Sequence, residues 1–238
     1  MIEIDNSGER ILLEKESPLM IARHFSAYQF AKECIQDKEV LDIGCGEGYG
    51  SYFLAGYAKS VMAVDYDKSV IAYASDKYKK YNLLFCVLEA KDLCSINKQF
   101  DTLCSFQVIE HIINPNIFLE NIKVLLKNNG VFICSTPNKL DVSPGSDAPL
   151  NKFHVKEYLF DEFKDLLQQY FESVELFGLK RGRMLRFYRR LKKIGLFNYF
   201  PNFLNPVNRF YNRVNYNNFI IVKNDIQSAL DFIAVCRK

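Results

Sequence analysis

Short apolar runs alternate with amphipathic stretches along most of this chain. Lys38–Ile43, Ser60–Val64, Leu83–Leu88, Phe100–Phe106, Val131–Ser135, Val174–Phe177 and Phe232–Cys236 are each short and apolar enough to be buried strands. Between them apolar residues recur at helical spacing. Ser51–Ala58 is the first such segment, and Val70, Ile71, Ala74 and Tyr78 mark a second. Ile117, Phe118, Ile122, Leu125 and Leu126 form a third, capped by Asn114-Pro115 and stopped at Asn129-Gly130. Phe163, Leu166, Leu167 and Tyr170 form a fourth, which Asp161 can cap. Strand and helix in alternation predict an α/β fold: a Rossmann-like, seven-stranded, mostly parallel sheet with helices on both faces.

Two segments stand outside that alternation. Ser17-Pro18 suits a helix start, and Ile21, Phe25, Tyr28 and Cys34-Ile35 then share one face, with His24 on or beside it. Residues 1–37 are thus expected to fold over the following glycine-rich turn as an N-terminal lid. Residues 180–218 form an insert between the sixth and seventh strands, leaving 38–179 and 219–238 as the main domain. The stretch 180–193 holds eight cations and no acid, and Met184, Phe187, Leu191 and Ile194 recur at helical spacing, which predicts a basic amphipathic helix. Three readings of it stand side by side: a solvated helix packed on the domain over an acceptor, attachment to an anionic membrane surface near a lipid-linked glycan, and RNA binding. RNA ranks last, because no RNA-binding module accompanies the patch.

Composition narrows the class. The 238 residues, 49% of them hydrophobic, suffice for one α/β domain with a buried core and are short for two. No apolar run approaches the ~18 residues that span a bilayer. The seven cysteines are scattered, with no C-x-x-C pair, so zinc and dithiol chemistry lack support and no metal is expected. They read as small buried hydrophobes in a reducing cytoplasm. The net charge of +3 is mild, so the clustering of cations at 180–193 is what carries information.

The chemistry centres on Val40-Leu41-Asp42-Ile43-Gly44-Cys45-Gly46-Glu47-Gly48-Tyr49-Gly50, a strand that runs into a glycine turn. The spacing breaks the G-x-G-x-x-G of dinucleotide-binding dehydrogenases, since Tyr49 takes the sixth place counted from Gly44, and no G-x-x-x-x-G-K-[ST] phosphate loop is present. An acid two residues before G-x-G-x-G resembles motif I of the class I S-adenosylmethionine (SAM)-dependent methyltransferases. Asp65 ends the second strand about 17 residues after Gly48, where an acid would meet ribose hydroxyls; Tyr66 beside it could stack on adenine.

Further segments extend the resemblance over about residues 40–140. Leu84-Phe85-Cys86-Val87-Leu88-Glu89-Ala90 resembles the third motif, which implies Glu89 at the adenine amine and Ala90 donating its backbone N–H, with Asp92 as the fallback acid. Phe100–Ile112, with Glu110-His111, resembles motif IV; Gln107 and Val108 would line the methionine end. Gly130–Asn138 matches the usual fifth strand. The resemblance implies SAM as cofactor, S-adenosylhomocysteine as product, and a site at the carboxyl ends of the first and fourth strands, binding through Asp42, Gly44, Cys45, Gly46, Gly48 and the residues just named.

Methyl transfer to a hydroxyl needs a base, and histidine is the usual group. His111 and His154 are the candidates; His24 reads as structural. Asn151-Lys152-Phe153-His154-Val155-Lys156-Glu157 resembles the N-x-F-H-x-x-E stretch of a bacterial subgroup tied to cell-surface glycans and small metabolites, and Gly8-Glu9-Arg10 and His24…Tyr28-Gln29-Phe30-Ala31 resemble the same subgroup. That subgroup usually carries arginine where this chain has Ala27, leaving Arg10 or Arg23 to substitute. The expected activity is methylation, at oxygen, of a small-molecule or glycan acceptor by a cytoplasmic protein, with peripheral attachment to the inner membrane face through 180–194 as an added expectation. A SAM-binding sensor or partner subunit without catalysis, and a membrane-surface interaction protein, are the alternatives of other classes.

Overall fold

Apolar strand segments and the helices between them assemble one eight-stranded sheet in the computed structural model, which describes residues 11–195, 197, 199–202 and 204–238. The expected features at Gly8, Glu9 and Arg10 lie outside the described residues. The parallel part comprises β1 (Glu39–Ile43), β2 (Ser60–Asp65), β3 (Leu83–Val87), β4 (Phe100–Phe106) and β5 (Leu126–Pro137). With β6 (Ser173–Arg181), β7 (Phe219–Val222) and β8 (Asp231–Arg237), the order across the sheet is β3-β2-β1-β4-β5-β8-β6-β7. Chain direction from β1 departs one way to β2 and the other way to β4, and a crevice opens at the carboxyl ends of that switch.

The sheet departs from the expected one in two respects. It has eight strands rather than seven: the four residues of β7 pair with β6 at the edge, too short to stand out beside the polar 215–218. The last strand, β8, runs antiparallel to both β5 and β6. The insert therefore lies between β6 and β8 and contains β7.

Helix α1 (Pro18–Ala31) precedes β1; α2 (Tyr49–Leu54), α3 (Lys68–Lys77), α4 (Pro115–Leu125), α5 (Lys139–Val142) and α6 (Phe160–Gln168) follow strands, and α7 (Arg183–Ile194) and α8 (Pro206–Tyr211) belong to the insert. Ser17 caps α1 as expected, its hydroxyl accepting from Met20 N at 3.3 Å. Two other helix ends differ. Leu126 is already extended (ψ 133°), so α4 stops at Leu125, and Asn129 takes a left-handed φ of 61° inside an irregularity of β5 instead of closing a helix. Leu159, not Asp161, precedes α6, and Glu162 folds back to accept from Leu159 N at 2.9 Å.

Both faces of the sheet are covered. On one, Phe118 and Ile122 of α4 and Phe163 and Leu167 of α6 pack with Phe132 and Phe232. On the other, Tyr28, Ala31, Ile35 and Leu54 pack with Val40, Phe106 and Ile133. The buried face of α1 is rotated from the expected one: Ala22, Ser26, Ala27, Tyr28 and Ala31 are buried, while Ile21 and Phe25 are only partly so. Small side chains let the helix axis approach the sheet, so α1 packs as a structural layer.

The helix α7 also presents another face than expected. Of the stripe Met184, Phe187, Leu191 and Ile194, three residues are exposed; the helix docks instead through buried Leu185 and through Tyr188, whose ring stacks on Phe210 at 4.0 Å. All seven cysteines are free; Cys45, Cys104, Cys134 and Cys236 are buried as expected, whereas Cys94 is exposed and Cys34 and Cys86 are partly so. Among the described residues no helix is long and apolar enough to cross a membrane.

Candidate active site

At the end of β1 the chain must turn beneath a crevice, and Gly44 (φ +73°) and Gly46 (φ +52°) supply the left-handed backbone. A Cβ on Gly44 would lie 2.4 Å from Val108 Cγ2, whereas at Gly46 nothing lies within 4 Å. Main chain is thus open to a ligand at Gly46. Asp65, at the end of β2, fixes this loop: its Oδ2 accepts from Gly46 N at 3.0 Å and its Oδ1 from Asp67 N at 3.1 Å.

One cleft of about 690 Å³ collects most of the expected cofactor residues. Gly44, Cys45, Gly46, Asp65 and Tyr66 line it from β1 and β2. Glu89 and Ala90 line it beyond β3, and Gln107 and Val108 beyond β4. Glu89 is exposed and pairs with Lys91 at 2.7 Å. Gln107 holds a left-handed φ of 58°, and its Nε2 donates to Ser135 Oγ at 3.1 Å.

Two expected residues do not reach the cleft wall. Asp42 is fully buried beneath the loop, where Oδ2 accepts from Ser51 Oγ at 2.6 Å and Oδ1 has no partner. Gly48 (φ +92°) precedes α2, and a Cβ there would lie 2.9 Å from Ala74 and Phe85, so it serves packing.

His111 and His154 meet in the same cleft. The rings of His111 and His154 are 4.9 Å apart, edge to face, and both line the cleft. Asn151 Oδ1 accepts from Phe153 N at 3.1 Å, so its amide nitrogen is the group 3.0 Å from His154 Nε2. His154 Nε2 therefore accepts, and Nδ1 donates to the buried Glu157 at 2.8 Å. The N-x-F-H-x-x-E stretch is in this way a closed hydrogen-bonded turn that occupies both ring nitrogens of His154. His111 Nδ1 lies 2.9 Å from Phe153 O, which can only accept, so the neutral ring carries its lone pair on Nε2.

Residues that the sequence reading did not place in the site complete it, together with Arg23, which it offered in place of the subgroup's arginine. Glu110 is buried against the histidines; burial pushes its carboxyl up to about 8, while Thr136 Oγ1 donates to it at 3.1 Å. The ligand atoms of Glu110, His111 and His154 lie within 4.8 Å of one another, a grouping that could hold a cation although no metal was expected. Thr136 and the Asn151 amide hold two of these three groups in the arrangement described. Arg23 makes a two-pronged contact with buried Asp231, Nε to Oδ2 at 2.8 Å and a second nitrogen to Oδ1 at 2.7 Å, and both line the cleft. His24 Nδ1 lies 2.5 Å from Tyr49 Oη, and burial lowers its pKa to about 4, so its ring is a neutral acceptor there. Glu47 pins the N-terminal segment: its Oε2 accepts from Leu13 N at 2.7 Å and its Oε1 from Lys77 at 2.7 Å. The clue to Asp231 was a lone acid heading an apolar run, a charge that burial obliges to find a partner.

These residues fit SAM: open main chain at Gly46, an acid at the end of β2, and an unpartnered buried carboxylate oxygen of Asp42 below the loop. A family described as a methyltransferase domain matches residues 36–178. A probable SAM-dependent methyltransferase of Mycobacterium tuberculosis is 36% identical over 182 residues, covering 76% of this chain and 66% of the relative. The chain thus spans just under two thirds of that curated relative. The ubiquinone biosynthesis O-methyltransferase of Glaesserella parasuis is 31% identical over 160 residues, 59% of this chain and 68% of that protein. In fold, the N-methyltransferase NodS of Bradyrhizobium japonicum, solved with S-adenosyl-L-homocysteine, superposes with a TM-score of 0.61 over 94% of this chain and 89% of its own, at 13% identity.

Proposed function

The chain belongs to the class I SAM-dependent methyltransferases, and on that premise we propose that it transfers a methyl group to a hydroxyl oxygen of a small molecule or sugar, releasing S-adenosylhomocysteine. SAM supplies, when bound, a methyl group activated by its sulfonium. Asp65 would hold the ribose diol, with Tyr66 beside the adenine. Glu89 would accept from the adenine amine and Ala90 would offer its N–H. Gly44, Cys45 and Gly46 would carry the methionine tail on their main chain, with Gln107 and Val108 at its end. Asp42 would act from below without contact at the cleft wall, its buried carboxyl giving up its proton as the tail's ammonium binds above the loop.

The acceptor enters at the His111 end. His111 Nε2 takes the hydroxyl proton as the oxygen attacks; the Phe153 carbonyl on Nδ1 fixes the tautomer that makes this possible and stabilises the imidazolium that results. His154, locked by Asn151 and Glu157, is a positioning residue that holds the His111 ring by its edge. The observation that carries the reading is this His111–Phe153 hydrogen bond in the same cleft as the glycine loop and Asp65. The ubiquinone relatives' name, which specifies transfer to oxygen, supports the choice of acceptor atom.

Calorimetric titration of SAM and S-adenosylhomocysteine into the wild type and Asp65→Ala tests the cofactor end. Micromolar-scale binding that falls about ten-fold or more in the variant is expected, since a charge-assisted hydrogen bond is lost. Transfer of labelled methyl to a panel of sugars and small hydroxylated compounds then tests the acceptor end, with His111→Ala lowering turnover while leaving SAM affinity unchanged. Tight SAM binding with no transfer to any acceptor would instead make the chain a sensor or partner subunit. The same proposal places the protein in the cytoplasm with access to the inner membrane face, for which the structure of the insert offers an argument of its own.

A further inference from the structure

We propose that α7 is a membrane-docking helix that seats this protein on an anionic phospholipid surface. Six of its twelve residues are cationic and none is acidic. Leu185 and Tyr188 attach the helix to the rest of the chain, and Lys192 lies over the Tyr211 ring at 4.9 Å, so that arc faces inward. With about 100° between successive residues, Met184, Phe187, Leu191 and Ile194 form a second arc beside it. Met184 and Phe187 are each 53% exposed and Ile194 is 72% exposed. Arg183, Arg186, Arg189, Arg190 and Lys193 fill the third arc, and none of these five forms an ion pair among the described residues. The chain then continues with exposed Tyr199, Phe200 and Leu204.

An exposed apolar stripe beside a cationic arc with no ion pair among the described residues is matched by a partner that satisfies both at once. The headgroup region of an anionic bilayer takes the apolar side chains a few ångströms deep and offers phosphates to the cations alongside. A nucleic acid would satisfy the cations and leave Met184, Phe187 and Ile194 in water. The docking surface also lies close to the cleft: Arg181, just before α7, lies 3.7 Å from Asp141, which lies 3.5 Å from the cleft residue Arg23. Where the chain methylates a hydroxyl as proposed above, the acceptor drawn to such a site is an amphiphile whose hydroxyl-bearing head stands at the bilayer surface. That inference of acceptor class rests on the methyl-transfer reading; the docking itself does not.

The test is co-sedimentation of the full chain with vesicles of phosphatidylcholine alone and with about one third phosphatidylglycerol added. Binding to the anionic vesicles alone is expected, weakening roughly five-fold for each cation removed in Arg189→Gln and Arg190→Gln. Phe187→Ser with Ile194→Ser, which leaves the net charge unchanged, should weaken it about ten-fold or more. These side chains are exposed, and an unchanged thermal melt verifies that the variants fold. No binding to anionic vesicles, equal binding to neutral ones, or no loss in the Phe187/Ile194 variant would each overturn the proposal. Tighter binding to RNA than to vesicles at equal phosphate concentration would also overturn it. Because vesicle binding is read without turnover, it can fail while SAM binding and transfer succeed, and the reverse.

Discussion

Asp42→Asn should flatten the pH dependence of folding. Asp42 is fully buried; Ser51 donates to one carboxylate oxygen at 2.6 Å and Tyr28 lies at 3.5 Å, while the other oxygen has no partner. Burial first, and then the nearby Asp65 charge, raises its pKa from 3.8 to about 7. A carboxyl whose pKa rises on folding binds its proton more tightly in the native state. Its contribution is therefore fully present below the unfolded pKa and is lost as pH rises through 7. By linkage, the whole displacement corresponds to about 4 kcal/mol, of which roughly 2 kcal/mol falls between about pH 5.5 and about pH 8. The asparagine cannot titrate, but its amide N–H would stand where the unpartnered oxygen is, at a cost of about 1–3 kcal/mol at either pH. Absolute stability is thus a poor test and the slope is the decisive one. Urea unfolding of both proteins without cofactor, at the two pH values, should give a wild-type loss greater by roughly 2 kcal/mol than the variant's. Glu110, raised to about 8 by burial, adds a separate fall of roughly 3 kcal/mol over the same interval that Asp42→Asn retains and Glu110→Gln removes. Equal slopes in wild type and Asp42→Asn would refute the reasoning, and would mean that Asp42 is ionised in the native state with its charge satisfied.

Other substitutions probe the packing around the same site. In Gly50→Ala the new Cβ would lie 2.1 Å from Tyr28 Cζ in a fully buried ring, so urea unfolding should register a loss of about 1–3 kcal/mol. Tyr28→Leu in the same chain should recover part of it. Arg23→Met leaves Asp231 charged and buried, and should cost about 3–5 kcal/mol, again by urea unfolding; Arg23→Met with Asp231→Leu should be markedly less destabilised than the single variant. Asn151→Ala releases His154 Nε2 from its donor without touching the fold's core, and should lower the rate of labelled-methyl transfer through His111 positioning while SAM titration stays as in the wild type.

What could be read from the sequence was local in its physics, and what could not depended on distant partners. A glycine turn after an apolar strand and an acid at the end of the next strand announce themselves by spacing, and Gly44, Gly46 and Asp65 do line one cleft. Asp42 belongs to the same motif, yet its carboxylate turns under the loop to Ser51. The motif fixed its position along the chain, and burial decided which way it faced. The same distinction separates the two histidines. Asn151, His154 and Glu157 are three residues apart in turn, so they satisfy one another locally and leave His154 little freedom, whereas His111 gains its tautomer from Phe153, 42 residues away. Arg23 and Asp231 are 208 residues apart, and no periodicity relates the start of an antiparallel strand to a helix before the sheet. Helix α7 shows the limit from the other side. Its amphipathic spacing was plain, but spacing gives the existence of an apolar stripe and not what covers it. Leu185 and Tyr188 found the protein, and Met184, Phe187 and Ile194 did not. A stripe that stays exposed, while among the described residues the five cations beside it form no ion pair, is one that an anionic surface outside the chain can complete.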